Sequence, residues 1–169
     1  MTASRQQGAQ PAGRRIAGHA QDDHIADPYQ RQRKLHEPTA CPDCGAIFHQ
    51  GRWQWGDTPE GAESEACPAC RRIADDLPAG IVTLAGAYVA GHRDEILGLA
   101  RRQEELEKPE HPLNRIMRVK EEAGAIEIAT TDIHLPRRIG EALHHAFGGE
   151  LALDYEPDGY FLRARWSRD

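Results

Sequence analysis

No apolar run in the sequence is long enough to cross a bilayer. The longest, over residues 80–91, is short and broken by glycines and a threonine. The N-terminal stretch has no apolar core ahead of a cleavage site, so no secretion signal is read and the expectation is a cytoplasmic protein. The phosphate-cradling patterns G-x-x-x-x-G-K-[ST] and G-x-G-x-x-G are missing, as are the nucleophile elbow G-x-S-x-G and the zinc-protease pattern H-E-x-x-H. With them go the commonest routes to nucleotide hydrolysis, dinucleotide binding, acyl transfer and metalloproteolysis. Cysteine is scarce: four residues, all between positions 41 and 70.

Positive charge is also short. The chain has 21 basic against 27 acidic residues, a net charge of −6. Dedicated nucleic-acid binders are usually basic overall or on one face. Here the imbalance is uneven. Residues 1–39 hold six cations (Arg5, Arg14, Arg15, Arg31, Arg33, Lys34) against four acids (Asp22, Asp23, Asp27, Glu37), so the remainder is strongly acidic. A nucleic-acid contact must then come from a local patch or from the N-terminal segment.

What is present divides into three parts. Residues 1–37 are dominated by Gln, Ala, Gly, Arg and Asp, with Ile16, Ile25 and Leu35 as the only large aliphatics. Too little apolar surface is available there to offset ordering entropy, which predicts a disordered tail. Residues 38–77 are punctuated by Gly51, Gly56, Pro59 and Gly61 and predict loops and short strands, with AIFHQGRWQW as strand, turn and strand. A module this small needs a staple. Residues 78–169 predict an α+β domain in the order β-α-β-β-α-β-β, with a mainly antiparallel sheet. Its first helix is expected over 88–108, with Tyr88, His92, Ile96, Leu99 and Leu106 as the buried stripe. A hairpin over 114–121 and 124–131 follows. Thr131 or Asp132 then caps a second helix whose stripe is Leu135, Ile139, Leu143 and Phe147. Leu151, Leu153 and Tyr155, then Tyr160, Leu162, Ala164 and Trp166, alternate as a closing hairpin.

The cysteines form C-x2-C, a gap of 22 residues, and C-x2-C. Two residues between thiolates let one tight turn aim both sulfurs at one ion. Two such knuckles, Cys41 with Cys44 and Cys67 with Cys70, make a tetrahedral sulfur shell that suits one structural zinc, and the segment reads as a zinc ribbon. Disulfides fit poorly in a chain without an export signal, and a redox pair would stand alone beside a βαβ pattern. Spacing alone does not separate zinc from a four-thiolate iron centre. His49 is the nearest other ligand type. Four thiolates already close the shell, so it is read as a bystander and the site as structural, not catalytic. His144 and His145 point about 100° apart on a helix and read as a solvated face. His92 reads as packed, and His36, His111 and His134 have no partner at recognisable spacing. No catalytic residues and no small-molecule substrate are assigned.

Arg52, Trp53, Trp55, Arg71 and Arg72 mix cations with aromatics around the cysteines, and Arg163 and Arg165 share one face of the last strand. Cations that hold phosphate and aromatics that stack bases are what single-stranded RNA contacts require. The competing reading is a plain solvated surface in which the tryptophans cover a small core.

The segments DPYQRQRKL, PTACPDCGAIFHQGRW, CPACRRIADDLPAGIVTL, HRDEI, HPLNRI and TTDIHLPRRIGEALHHAFGGEL resemble a group of short bacterial zinc-ribbon proteins. That group resembles in turn the N-terminal part of the large-ribosomal-subunit export adaptor named after nonsense-mediated decay. The resemblance to the adaptor rests on paired C-x-x-C knuckles followed by an α+β domain whose last strand ends in an aromatic, here Trp166. It implies zinc on Cys41, Cys44, Cys67 and Cys70, and association with the ribosome or ribosomal RNA. This chain departs from the adaptor in being shorter, without its later domains, and acidic; nuclear export cannot apply in a bacterium, so only the ribosome-binding part would carry over. The resulting expectation is a non-enzymatic, ribosome- or RNA-associated zinc protein. The alternative is a protein-interaction module with an acidic partner-binding domain; a membrane partner is not expected.

Overall fold

The computed structural model describes residues 16–18, 27–30, 34–157 and 159–169. Of the expected N-terminal tail, everything outside 16–18, 27–30 and 34–37 lies outside the described residues. The elements are β1 (Ile16–Gly18), β2 (Thr39–Ala40), β3 (Ile47–His49), β4 (Arg52–Gln54), β5 (Glu63–Ser64), α1 (Pro68–Asp75), β6 (Gly80–Ala85), α2 (Ala87–Gly91), α3 (Arg93–Glu107), β7 (Ile116–Glu122), β8 (Ala125–Thr130), α4 (His134–Phe147), β9 (Glu150–Tyr155) and β10 (Leu162–Ser167).

Two sheets result. The larger has six strands in the order β1-β9-β10-β6-β8-β7, and the smaller has four in the order β4-β3-β2-β5. The larger sheet is mixed. Neighbours joined by short hairpins pair antiparallel (β7 with β8, β9 with β10), as does β6 with β8, whereas β10 with β6 and β1 with β9 run parallel. Its order through residues 80–167 keeps the expected sequence of strands and helices. The chief departure is the parallel seam of β6 and β10, which places the first and last strands of this unit side by side.

Period-2 alternation decides which face is buried. Val82, Leu84, Ile126, Ile128, Leu151, Leu153, Leu162, Ala164 and Trp166 all lie inside. They meet Ile96, Leu97 and Ala100 of α3 and Leu135, Ile139 and Leu143 of α4 in one core. Helix α4 approaches β9 closely because position 140 is glycine: a Cβ there would stand 2.8 Å from Leu151 Cδ1. The β7–β8 turn uses Ala123 (φ 50°) and Gly124 (φ 80°), both left-handed, as a two-residue hairpin demands.

Several expectations need correction. The first long helix is two helices, because His92 leaves helical geometry (φ −127°, ψ 22°). Its ring stacks flat on Tyr88, with centroids 3.6 Å apart. Leu106 is 54% exposed; the last turn of α3 buries Glu107 instead. Strand β7 starts at Ile116, and Asn114 sits in the preceding loop. His144 is buried with Nδ1 3.1 Å from Gly149 O, so only His145 stays on the solvated face. Helix α1 was unforeseen in a segment read as loops and strands.

Candidate metal centre

Two different turns deliver the sulfurs. In the first, Cys41 N donates to Ala46 O (2.8 Å) and Gly45 N to Cys41 O (3.0 Å), which folds the knuckle back on itself. Gly45 has φ 78°, where a side chain would be strained. In the second, Cys67 is the N-cap of α1 and Pro68 opens the helix, a position where its missing N–H costs nothing. Cys67 Sγ accepts from Cys70 N (3.4 Å), and Cys67 N donates to Cys41 Sγ (3.3 Å), tying the knuckles together.

All four sulfurs lie within 4.8 Å of one another, and Cys44 Sγ and Cys67 Sγ are 3.8 Å apart. A tetrahedron with metal–sulfur bonds of about 2.3 Å has edges of about 3.8 Å, so the donor set fits one thiolate-bound ion. Among the described residues this is the one group with metal-ligand geometry. His49 takes no part; its Nδ1 is 4.0 Å from Glu37 Oε2. Burial pushes all three perturbed thiols up, with different outcomes. Backbone N–H groups of Cys67, Cys44 and Asp43 overcome it at Cys41, which falls to about 7. Cys70 rises to about 11 despite a neighbouring arginine, and Cys67 rises further, raised also by the surrounding sulfurs. A metal must displace these protons, so its uptake releases acid.

Arg115 is the neighbour that the sequence did not disclose. Its Nη2 lies 3.2 Å from Cys67 Sγ, 3.5 Å from Cys44 Sγ and 3.5 Å from Cys70 Sγ, capping the sulfur face opposite Cys41. Its Nε donates to Pro112 O (2.9 Å), and its backbone N to Thr131 Oγ1 (2.9 Å). Burial works against its charge, but the sulfurs outweigh that and raise its pKa. Four thiolates around a divalent ion leave two negative charges, of which this guanidinium offsets one. Arg115→Met should therefore weaken metal binding about 10–100-fold, the usual effect of losing a group that supports the ligands. Competition for zinc against a chromophoric chelator measures it; unchanged affinity would deny Arg115 this role.

Leu113, Trp53 and Trp55 pack against the cysteine cluster, and Trp55 Nε1 donates to Lys108 O (2.6 Å). The loop between α3 and β7 thus clasps the ribbon. Beside this junction opens a cleft of about 1090 Å³, with Phe48 and Trp53 on the ribbon side and Glu107, Asn114, Asp132 and Arg137 opposite.

The seven residues expected at an RNA surface separate. Arg52, Trp53 and Arg71 line this cleft. Arg52 is exposed, Trp53 tilts against Phe48 with centroids 5.6 Å apart, and Arg71 Nη2 donates to Tyr29 O. Trp55 is not in the cleft lining; it packs on the cysteine cluster and donates to Lys108 O. Arg72 is 3% exposed, ion-paired with Asp27 and stacked over Tyr29 at 4.2 Å, so its charge is used inside the protein. Arg163 and Arg165 stand on the outer face of β10, away from the cleft lining; Arg163 stacks over Phe161 at 4.5 Å, and Arg165 is 4.0 Å from Asp154. Asp132 does cap α4: its Oδ2 accepts from His134 N (2.7 Å) and Leu135 N (3.0 Å). Its place on the cleft floor had no signal in the sequence, because the residues around it come from four separate segments.

No family model, no curated protein and no solved structure matches this chain.

Proposed function

We propose that the protein is a non-enzymatic, zinc-stabilised protein that associates with RNA or the ribosome through the cleft beside its metal centre. The observation that carries this reading is the gathering of Arg52, Arg71, Trp53 and Arg137 around one cleft next to the four sulfurs. Zinc is the fitting ion because a closed four-thiolate shell suits its tetrahedral preference and leaves no position for a substrate water. In this role the metal is structural. It fixes the β3–β4 hairpin, and with it Arg52 and Trp53, against the α+β domain. The sequence resemblance to short bacterial zinc-ribbon proteins, and through them to part of the large-subunit export adaptor, is the ground for this choice of partner, while the net charge of −6 confines contact to local cations such as Arg52, Arg71 and Arg137, which share the cleft lining with Glu65, Glu110 and Glu141.

The test is co-sedimentation with ribosomal subunits over a salt series. Binding should weaken as salt rises, because each phosphate contact releases counterions. Arg52→Ala should weaken binding and flatten the logarithmic salt slope by about one unit. Free protein at low salt, with no RNA retained on purification, would refute the proposal. Capture of one protein partner, insensitive to nuclease, would replace it with the protein-interaction reading.

A further inference from the structure

The four metal-ligand cysteines are unequally covered. Cys41, Cys67 and Cys70 are 2%, 0% and 8% exposed, whereas Cys44 is only half-buried. The difference follows from the two turns. Cys67 and Cys70 begin α1, whose first turn is packed inside. Cys41 is tied down twice, by its N–H to Ala46 O and by its sulfur to Cys67 N. Cys44 stands on the outer side of its knuckle, flanked by the exposed residues Asp43 and Gly45.

Exposure is one requirement for a reactive cysteine, and local charge is the other. The nucleophile is the thiolate, favoured by a neighbouring cation, and cysteines buried in neutral surroundings are inert. Coordination to a metal removes the thiol proton outright. The cation is Arg115, whose Nη2 is 3.5 Å from Cys44 Sγ and 3.2 Å from Cys67 Sγ. A second sulfur is also close, since Cys67 Sγ lies 3.8 Å from Cys44 Sγ. Cysteines that sense oxidants share these features: an accessible thiolate with a second thiol poised to resolve it.

We infer that Cys44 is an oxidation site for hydroperoxides, with Cys67 as its resolving partner, and that its oxidation dismantles the ribbon. The Cys44 thiolate attacks the terminal peroxide oxygen and the O–O bond breaks. The leaving oxygen takes a proton from solvent and departs as water, or as an alcohol from an organic peroxide. Cys44 is left as a sulfenic acid. The Cys67 thiolate attacks that sulfur, the S–S bond forms, and the sulfenic oxygen takes a second proton and leaves as water. Two thiolates are thereby oxidised by two electrons, and one peroxide is reduced. Cys41 and Cys70 remain, half of the closed shell that zinc requires. The ribbon, whose own interior is small, loses its staple. Hairpin β3–β4 then no longer holds Arg52 and Trp53 in place against the α+β domain.

Zinc-loaded full-length protein is treated with less than one equivalent of hydrogen peroxide. Differential alkylation and peptide mass spectrometry then map the oxidised thiols. Cys44 should be consumed first and end in a disulfide with Cys67. Zinc captured by a chromophoric chelator should rise in step, above the level that the chelator draws without peroxide. Dithiothreitol with added zinc should restore the starting state. Cys44→His removes the exposed thiol and keeps a fourth ligand, because three thiolates and one imidazole also make a structural shell. Peroxide should release its zinc at least about tenfold more slowly, since the accessible thiolate is the nucleophile. The mapping uses the wild type alone and decides the matter whether or not the variant takes up zinc. Oxidation spread evenly over the four cysteines at low conversion, or starting at Cys41, Cys67 or Cys70, overturns the site. So does Cys44 oxidation with zinc retained, release from a zinc-loaded Cys44→His protein as fast as from the wild type, or a wild type that peroxide leaves unchanged. None of these outcomes touches RNA association, which the sedimentation test decides separately.

Discussion

Cys67→Ser is expected to leave the segment 38–77 without a stable fold while the six-stranded sheet persists. Cys67 is the most deeply placed of the four thiols: it is fully buried, caps α1, and connects by hydrogen bonds to both knuckles. Around it the ribbon has little other interior, chiefly Ile47 and Thr39. Its buried cluster consists of Cys41, Cys67, Cys70, Ala46 and Ala69, with Trp53, Trp55, Cys44 and Leu113 packed at the edges. The burial of the two alanine methyls and of Ile47 is worth about 3–5 kcal/mol. Structural zinc contributes on the order of 10–16 kcal/mol of apparent free energy at neutral pH. Metal coordination therefore dominates the ribbon by a wide margin. The sheet has its own core of large aliphatics and Trp166, so it should survive. Hydrogen exchange read segment by segment, with metal content alongside, is the decisive measurement. Chelation of the wild type should reproduce the pattern. Protection of residues 38–77 that is the same with and without bound metal would show that the ribbon folds by other means.

A second large effect is expected at Asp132 as a dependence of stability on pH. Burial, reinforced by the charges of Glu107 and Asp27 and opposed by the N–H groups of Leu135 and His134, pushes this carboxyl up to about 7 from an ordinary 3.8. The folded state thus holds a proton that the unfolded state releases. Stability from this group is complete below about pH 4 and is lost as pH rises through about 7. The difference of roughly three pH units corresponds to about 4 kcal/mol as an upper bound. Asp132→Asn removes the titration and keeps the cap. Its stability relative to the wild type should rise between pH 5 and pH 8, then level off. Denaturant unfolding of both proteins at the two pH values, with metal held saturating, reads the change. The thiols titrate alike in both proteins, so their contribution cancels in the comparison. A mutant-to-wild-type difference that does not move with pH would mean the carboxyl is ionised throughout.

The legible parts of this protein were those governed by short-range chemistry. Two C-x-x-C knuckles fix their own geometry within three residues each, so the four sulfurs converge as their spacing implies. The alternation in 126–130 and 162–166 led directly to the buried faces of β8 and β10. What stayed hidden depends on long-range placement. Arg115 lies 45 residues beyond Cys70, and nothing in HPLNRI marks it as facing sulfur. Asp132 shows itself as a helix cap, which it is, but its second oxygen acquires meaning only when Glu107, Asp27 and Tyr160 are brought to it. Helix α1 is hidden in the sequence because its N-cap is a cysteine, outside the usual capping residues. Arg71 and Arg72 are adjacent in sequence and look equivalent there. The turn of α1 sends Arg72 inward to Asp27 and leaves Arg71 at the cleft, so one retains a charge for a partner and the other does not.

The parallel seam between β6 and β10 also bears on how the chain acquires its fold. Val82 and Ala164, neighbours across that seam, are separated by most of the domain. The centre of the sheet thus joins the earliest and latest parts of the unit, a closure of high contact order. During synthesis, β6 can pair with β8, and β8 with β7, as soon as those residues emerge. Its other edge, including the apolar residues Val82 and Leu84, stays open until Leu162–Ser167 arrives. The last strand to be made therefore completes the middle of the sheet, and until then the nascent domain carries an unpaired edge that must be kept from other chains.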